Sequence, residues 1–208
     1  MEIRNIIFDF GGVIINIHHS EVEKAFKNLG INQFETLFSQ ATQSDIFQRL
    51  EIGTISPGNF RNYLRSIIGK EIPDHKLDFA WNQIIGNYPP HRIKLLSELK
   101  KNYNLFLLSN TNIIHYRYYI EKFRNEFGFE FQSLFNKTYW SFEISERKPN
   151  HSAFTFVLKD NNLIASETLF IDDSVQNIDA AEQMGFQTYL LKNDTDLADI
   201  FGEGKIIL

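Results

Sequence analysis

Asp9 closes the apolar run Ile3–Phe8, Ser109 closes Leu105–Leu108, and the acid pair Asp172–Asp173 closes Leu169–Ile171. Lys148, within Glu146-Arg147-Lys148-Pro149, follows the short run Thr138–Ser141. Together these residues offer a carboxylate nucleophile, a hydroxyl donor, a fixed cation and an oxygen-only metal site. Phosphoryl transfer needs that set, because there the protein mainly positions groups and neutralises charge on the phosphoryl oxygens. Two adjacent acids at a strand end repel each other unless a cation lies between them, which favours a metal over a solvated turn. Taken singly, Asp9 and Ser109 read more readily as turn residues and Lys148 as a surface lysine. Their occurrence together, with the acid pair, is what lifts them.

The elements that must position these groups follow from the same runs. With Thr188–Leu191 before Lys192-Asn193, they read as strands apolar on both faces, the pattern of a parallel sheet covered on both sides. Helical spacing lies between them, over His91–Lys101 and over Ser174–Met184, which opens at a potential N-cap serine and stops at Gly185. Strand–helix alternation with buried strands predicts a doubly wound α/β core, whose ligands bind beyond the carboxyl ends of the strands. Residues 18–88 differ. Ser20-Glu21-Val22-Glu23 spells a capping box ahead of an apolar stripe ending at Gly30, and Ser56-Pro57 opens a second helix. No strong strand signal interrupts this stretch, and Pro89-Pro90 ends it. The predicted organisation is an α/β catalytic core over 1–17 and 89–208, with a helical cap over 18–88.

The chain has 208 residues, 43% hydrophobic and 23% charged, with a formal net charge of −5. That fits a globular core with a small accessory unit and gives no general attraction for nucleic acid or anionic lipid. Cysteine is absent, which excludes disulfides, thiol catalysis and thiolate metal sites. The first residues run straight into a strand without the pattern of a signal peptide, and no apolar run approaches the roughly 20 residues of a membrane span. A cytoplasmic location is the expectation. His75, His91, His115 and His151 show no metal-ligand spacing and receive no role. His18 and His19 read as a solvated approach to the cap.

Four motifs occur in order: Phe8-Asp9-Phe10-Gly11-Gly12-Val13, Leu107-Leu108-Ser109-Asn110-Thr111, Arg147-Lys148-Pro149 and Phe170-Ile171-Asp172-Asp173-Ser174. On these the chain resembles the haloacid dehalogenase-like (HAD) hydrolase superfamily, with a Rossmann-like core and a helical C1-type cap. Ser109-Asn110-Thr111-Asn112, Phe47–Ser56 and Asp172-Asp173-Ser174-Val175-Gln176-Asn177 look most like its bacterial α-D-glucose-1-phosphate phosphatase branch. The resemblance implies a magnesium-dependent phosphoric monoester hydrolase acting on a small phosphorylated metabolite, a sugar phosphate or similar. By the same resemblance Asp9 forms an aspartyl-phosphate, and magnesium is held by Asp9, the Gly11 carbonyl, Asp172 and, most directly, Asp173. Ser109 and the Asn110 backbone bind phosphate oxygens, and Lys148 offsets charge. Glu51, Gly53 and Trp81 are implied substrate contacts in the cap, with core packing an equal reading for Trp81.

One position departs from the pattern. Gly11 stands where most HAD phosphatases carry a second Asp as general acid, a loss typically costing a factor of about 10² to 10⁴ with a poor leaving group. The glucose-1-phosphate branch also has Gly there. The departure keeps one alternative open: a catalytically weak HAD-like protein that binds a phosphometabolite or a partner protein. A signalling receiver domain is excluded by order, since its acid pair comes first. A dehalogenase lacks the acid pair, and a phosphomutase needs the missing acid.

Overall fold

The structure, a computed structural model, describes residues 2–31, 34, 36, 45–192, 194–202 and 204–207. Parallel strands β1 (Asn5–Phe8), β2 (Asn104–Ser109), β3 (Lys137–Trp140), β4 (Thr168–Asp172) and β5 (Gln187–Leu190) form one sheet in the order β3-β2-β1-β4-β5. β1 and β4 are buried along their whole length, as continuous apolar runs require, whereas the edge strand β5 is only half-buried. Strand order reverses around β1, so the crevice between the ends of β1 and β4 is the topological switch point. Asp9 and the Asp172–Asp173 pair stand there. The expected strand ends hold to within one residue, β3 and β5 each stopping one residue early; Asn193 lies outside the described residues, as do Met1 and Leu208.

Side chains pack on both faces of the sheet. Phe8, Leu107 and Ile171 belong to one apolar cluster, and Ile7, Leu108 and Phe170 to another. Among the described residues between β1 and β2, α1 (His19–Asn28), α2 (Ile46–Glu51), α3 (Pro57–Ile68) and α4 (Asp74–Asn82) precede α5 (Pro90–Leu99). The insert has its own apolar cluster, centred on Phe26, Leu50, Phe60, Leu64 and Leu77. Ile114, from the helix α6 (Ile113–Phe127) that follows β2, joins that cluster from the other side. Ser56 caps α3 as expected, its hydroxyl accepting from the Asn59 N–H at 3.1 Å with Pro57 in the first turn.

Two capping expectations are corrected. The helix expected to be capped by Ser20 begins two residues earlier, with His18 at the N-cap and no side-chain cap bond. The His18 N–H donates to the Ile84 carbonyl at 2.8 Å and Ile17 bridges Ile85, so the chain enters α1 already fixed in direction. Glu23, the acid of that box, pairs instead with Lys27 along the helix surface. Ser174 likewise makes no side-chain cap for α8 (Val175–Gln183); its N–H donates to Asp172 Oδ1 at 2.8 Å.

The insert meets the sheet domain tightly at Gly53. There φ is +71°, and a Cβ would stand 2.5 Å from the Phe142 carbonyl oxygen in α7 (Ser141–Ile144). Gly69, with the same φ, faces open space. Gly69→Ala should therefore cost about 1 kcal/mol of left-handed backbone strain alone. Gly53→Ala should cost about 2 kcal/mol more, because backbone must move. Urea midpoints at constant m-value check the difference.

Candidate active site

Asp9 leaves β1 with its N–H donating to the Ile171 carbonyl at 2.8 Å, which ties it to the end of β4. The chain then turns tightly, Gly12 N–H donating to Ile15 O at 2.8 Å and Ile14 N–H to Phe10 O at 2.9 Å. Gly12 adopts φ +77°, and a Cβ there would lie 2.1 Å from Asp173 Oδ2. Only glycine lets Asp173 approach this loop. One oxygen each from Asp9, Asp172 and Asp173 lie within 4.8 Å of one another.

Lys148 is 1% exposed, and its ammonium donates to Asp9 Oδ1 at 2.5 Å and Asp172 Oδ2 at 2.6 Å. Burial alone would lower its pKa, but Asp172 and Asp9 together hold it above the ordinary lysine value. Asp9 is pushed up to about 7, first by burial, with Lys148 opposing and Asp172 adding to the shift. Asp173, although its side chain reaches solvent, is raised by partial desolvation among its neighbours and by Asp172. With all four groups charged, three carboxylates against one ammonium leave two negative charges in a crowded all-oxygen pocket. That donor set suits a hard divalent cation such as magnesium.

The surrounding side chains hold this group rigidly. Asn110 Nδ2 donates to the Lys148 carbonyl at 2.8 Å and Asn110 Oδ1 accepts from the Lys148 N–H at 2.9 Å, so one amide clamps the lysine backbone. Asn177 reaches both Asp172 oxygens at 3.0 Å. Asp172, fully buried, is thereby saturated, whereas Asp173 is exposed. Arg92, on α5, donates to Val13 O at 3.1 Å and Asn16 Oδ1 at 3.2 Å, while Asp196 holds its other face at 2.7 Å. It pins the far end of the loop that begins at Asp9. Nothing marks Arg92 in the sequence, where it reads as the polar side of a helix. Asn177 is visible only as part of the last motif.

Beside this cluster lies a cavity of about 520 Å³, whose wall includes Gly11, Ser109, Asn110 and, from the insert, Glu51 and Trp81. Ser109 is buried at the end of β2. Glu51 Oε2 accepts from Arg147 Nε at 3.0 Å, and burial raises the Glu51 carboxyl against the pull of Arg147. Gly53 is not among the lining residues; it packs on Phe142. Trp81 both lines the cavity and stacks, between Phe47 at 5.2 Å and His115 at 5.2 Å. His19 lines this cavity and a second one of about 430 Å³ on the Asp173 side, where His18 also lies. His115, given no role from its spacing, lines the main cavity. Its Nδ1 lies 2.8 Å from Asn82 Oδ1, and burial lowers its pKa to about 3.

A family model for haloacid dehalogenase-like hydrolases matches residues 3–185. The chain belongs to that family. It is 34% identical over 194 residues, 93% of this chain and 94% of the other, to a D-ribitol-5-phosphate phosphatase of Bacteroides thetaiotaomicron. A HAD-family enzyme from the same organism, solved with magnesium and inorganic phosphate, is 35% identical with a TM-score of 0.90, covering 96% of this chain and 100% of that one. A sesquiterpene phosphatase of Aspergillus oryzae is 27% identical over 183 residues, 86% of this chain and 85% of the other. Among the described residues no helix is long and apolar enough to cross a membrane.

Two outcomes follow from this geometry. Asn110→Ala releases the Lys148 backbone, so kcat should fall by about 10² with KM little changed, read by steady-state kinetics. His115 is held neutral in the fold, so the unfolded chain binds the extra proton below its own pKa of about 6.5. The His115 contribution is therefore fully present above that pH and is lost as pH falls toward 3. Urea unfolding between pH 7.5 and 5 should show wild type losing stability faster than His115→Gln, by at most about 1.4 kcal/mol per pH unit below 6.5.

Proposed function

We propose that this chain is a magnesium-dependent phosphatase that hydrolyses a small phosphomonoester, a sugar or alditol phosphate, through an aspartyl-phosphate on Asp9. One observation carries the reading: Lys148 bridges Asp9 and Asp172, with Asp173 beside them, at the switch point of a parallel sheet and next to a cavity of metabolite size. The D-ribitol-5-phosphate phosphatase and the magnesium- and phosphate-bound relative support it. So does the likeness to glucose-1-phosphate phosphatases, whose substrate also carries hydroxyls beside the phosphate.

In this reading an Asp9 oxygen attacks phosphorus as the ester P–O bond breaks, and the leaving alkoxide takes its proton from solvent water. Water then attacks the phosphorus of the acyl phosphate, releasing inorganic phosphate and restoring the carboxylate. Lys148 keeps Asp9 in line and lends charge to the phosphoryl oxygens, while Ser109 Oγ and the Asn110 N–H bind those oxygens. Asp9, the Gly11 carbonyl and Asp173 would hold magnesium, with saturated Asp172 fixing the rest of the shell. When bound, the ion supplies charge neutralisation at the phosphoryl group. Gly11 offers the leaving oxygen no proton, so good leaving groups should turn over faster than poor ones.

Residues 18–88 act as the cap that closes over the substrate, with Glu51 and Trp81 in its wall and Gly53 seating it on the core. A cytoplasmic setting, with a small phosphorylated metabolite as partner and neither nucleic acid nor membrane, completes the proposal. The net charge of −5 supports it. A second reading, an ester of an apolar alcohol, is favoured by Ile17, Val22, Phe47 and Ile84 in the same cavity wall.

The test is phosphate release from sugar phosphates, alditol phosphates and p-nitrophenyl phosphate, with magnesium or EDTA. Turnover should require the metal and fall by at least about 10³ in Asp9→Asn. Asp173→Asn should raise the magnesium concentration needed for half-activity at least about tenfold. Turnover that survives Asp9→Asn would remove the nucleophile from the scheme.

A further inference from the structure

His115 stands on the sheet-domain helix α6, yet groups from the insert orient its ring. Asn82 Oδ1, a carbonyl oxygen that can only accept, lies 2.8 Å from Nδ1, so that nitrogen carries the proton. A neutral imidazole protonated at Nδ1 presents Nε2 as a bare acceptor. Burial keeps the ring neutral throughout the working range. Nε2 makes no hydrogen bond among the described residues, and the ring lines the main cavity. Its plane is fixed by Trp81, stacked at 5.2 Å and 14°, and its own backbone N–H donates to the capping Asn112 Oδ1 at 3.1 Å.

Across the insert side of the same cavity, Glu51 spends Oε2 on Arg147 while Oε1 makes no hydrogen bond among the described residues. Both groups ask for donors. A carboxylate-bearing body would face Glu51 with like charge, and a hydrocarbon body would leave Nε2 dry and unpaired. Hydroxyl groups satisfy both, and their C–H faces suit the aliphatic remainder of the wall.

We infer that His115 is a specificity-determining residue, whose Nε2 accepts a hydrogen bond from a hydroxyl of the substrate body, so that the substrate is a phosphate ester of a polyol. This rests on the phosphatase reading and narrows it: between the sugar-like and apolar esters it selects the first. Asn82 acts through His115 as a positioning residue, by setting the tautomer. Because Asn82 and Trp81 come from the insert and His115 from the sheet domain, the acceptor is aimed only when the two are docked.

The experiment compares kcat/KM of the magnesium-loaded enzyme for D-ribitol 5-phosphate, p-nitrophenyl phosphate and phosphoglycolate. It uses wild type, His115→Phe, His115→Gln and Asn82→Ala, each checked for an intact thermal transition. Wild type should prefer the alditol phosphate over phosphoglycolate by at least about 10². In His115→Phe the ratio of alditol to p-nitrophenyl turnover should fall by about 10- to 100-fold. His115→Gln, which keeps an acceptor, should recover part of that ratio, and Asn82→Ala should lower it in the same direction. An equal fall on both substrates in His115→Phe and His115→Gln would reduce the residue to a structural tie and overturn the inference. So would a wild type that hydrolyses p-nitrophenyl phosphate while ignoring polyol phosphates, and that result leaves the phosphatase reading standing. Absence of magnesium-dependent turnover on every ester would remove the phosphatase reading, and the inference with it.

Discussion

The Lys148 ammonium between Asp9 and Asp172 is the interaction from which the rest of the site is arranged. A buried cation survives only with charge partners and saturated hydrogen bonding. Here the partners come from the ends of adjacent strands, β1 and β4. Each is then held by something else: the lysine backbone by Asn110 after β2, Asp172 by Asn177 and the Ser174 N–H, and the Asp9 loop by Arg92. Loops that would otherwise move independently at a strand edge are cross-linked through one nitrogen. The excess negative charge that remains marks where a divalent cation belongs, and Gly12 keeps that side open to Asp173.

Much of this could be read from the chain because parallel sheets write themselves plainly. Apolar runs such as Ile3–Phe8 and Leu105–Leu108 leave no polar face, so each run's first polar residue falls at the functional end of the sheet. Three such ends, with the Lys148 motif between the second and third, identified the chemistry as well as the architecture. Other features were hidden because they depend on partners remote in sequence. Ser20 has every local mark of a cap, yet Ile84 and Ile85 set the chain's entry and move the helix start. The Asn110 side chain clamps the Lys148 backbone, which needs that lysine folded beside it. His115 shows no metal spacing, and its neighbours Trp81 and Asn82 lie on another helix. Gly53 sits within the motif-like stretch before Ser56, but its steric role becomes visible only against Phe142.

The insert and the sheet domain are joined by interactions of different kinds. Glu51 pairs with Arg147 next to the site lysine, Gly53 abuts a backbone carbonyl, and Ile114 buries itself in the insert's own cluster. The ion pair is partly solvated and weak on its own, whereas the glycine contact is steric and unforgiving. Such a junction fixes register between the two parts while leaving the aromatic stack at the cavity wall to respond to what enters.

That stack has an optical consequence. The chain carries two tryptophans. Trp140 is sealed among Phe10, Tyr119 and Phe131, out of contact with solvent. Trp81 lies sandwiched between Phe47 and His115 at the mouth of the insert. Steady emission from the first indole thus forms a constant background, and the second is a native fluorophore whose spectrum reports, without any label, whether the two parts of the molecule are closed on each other.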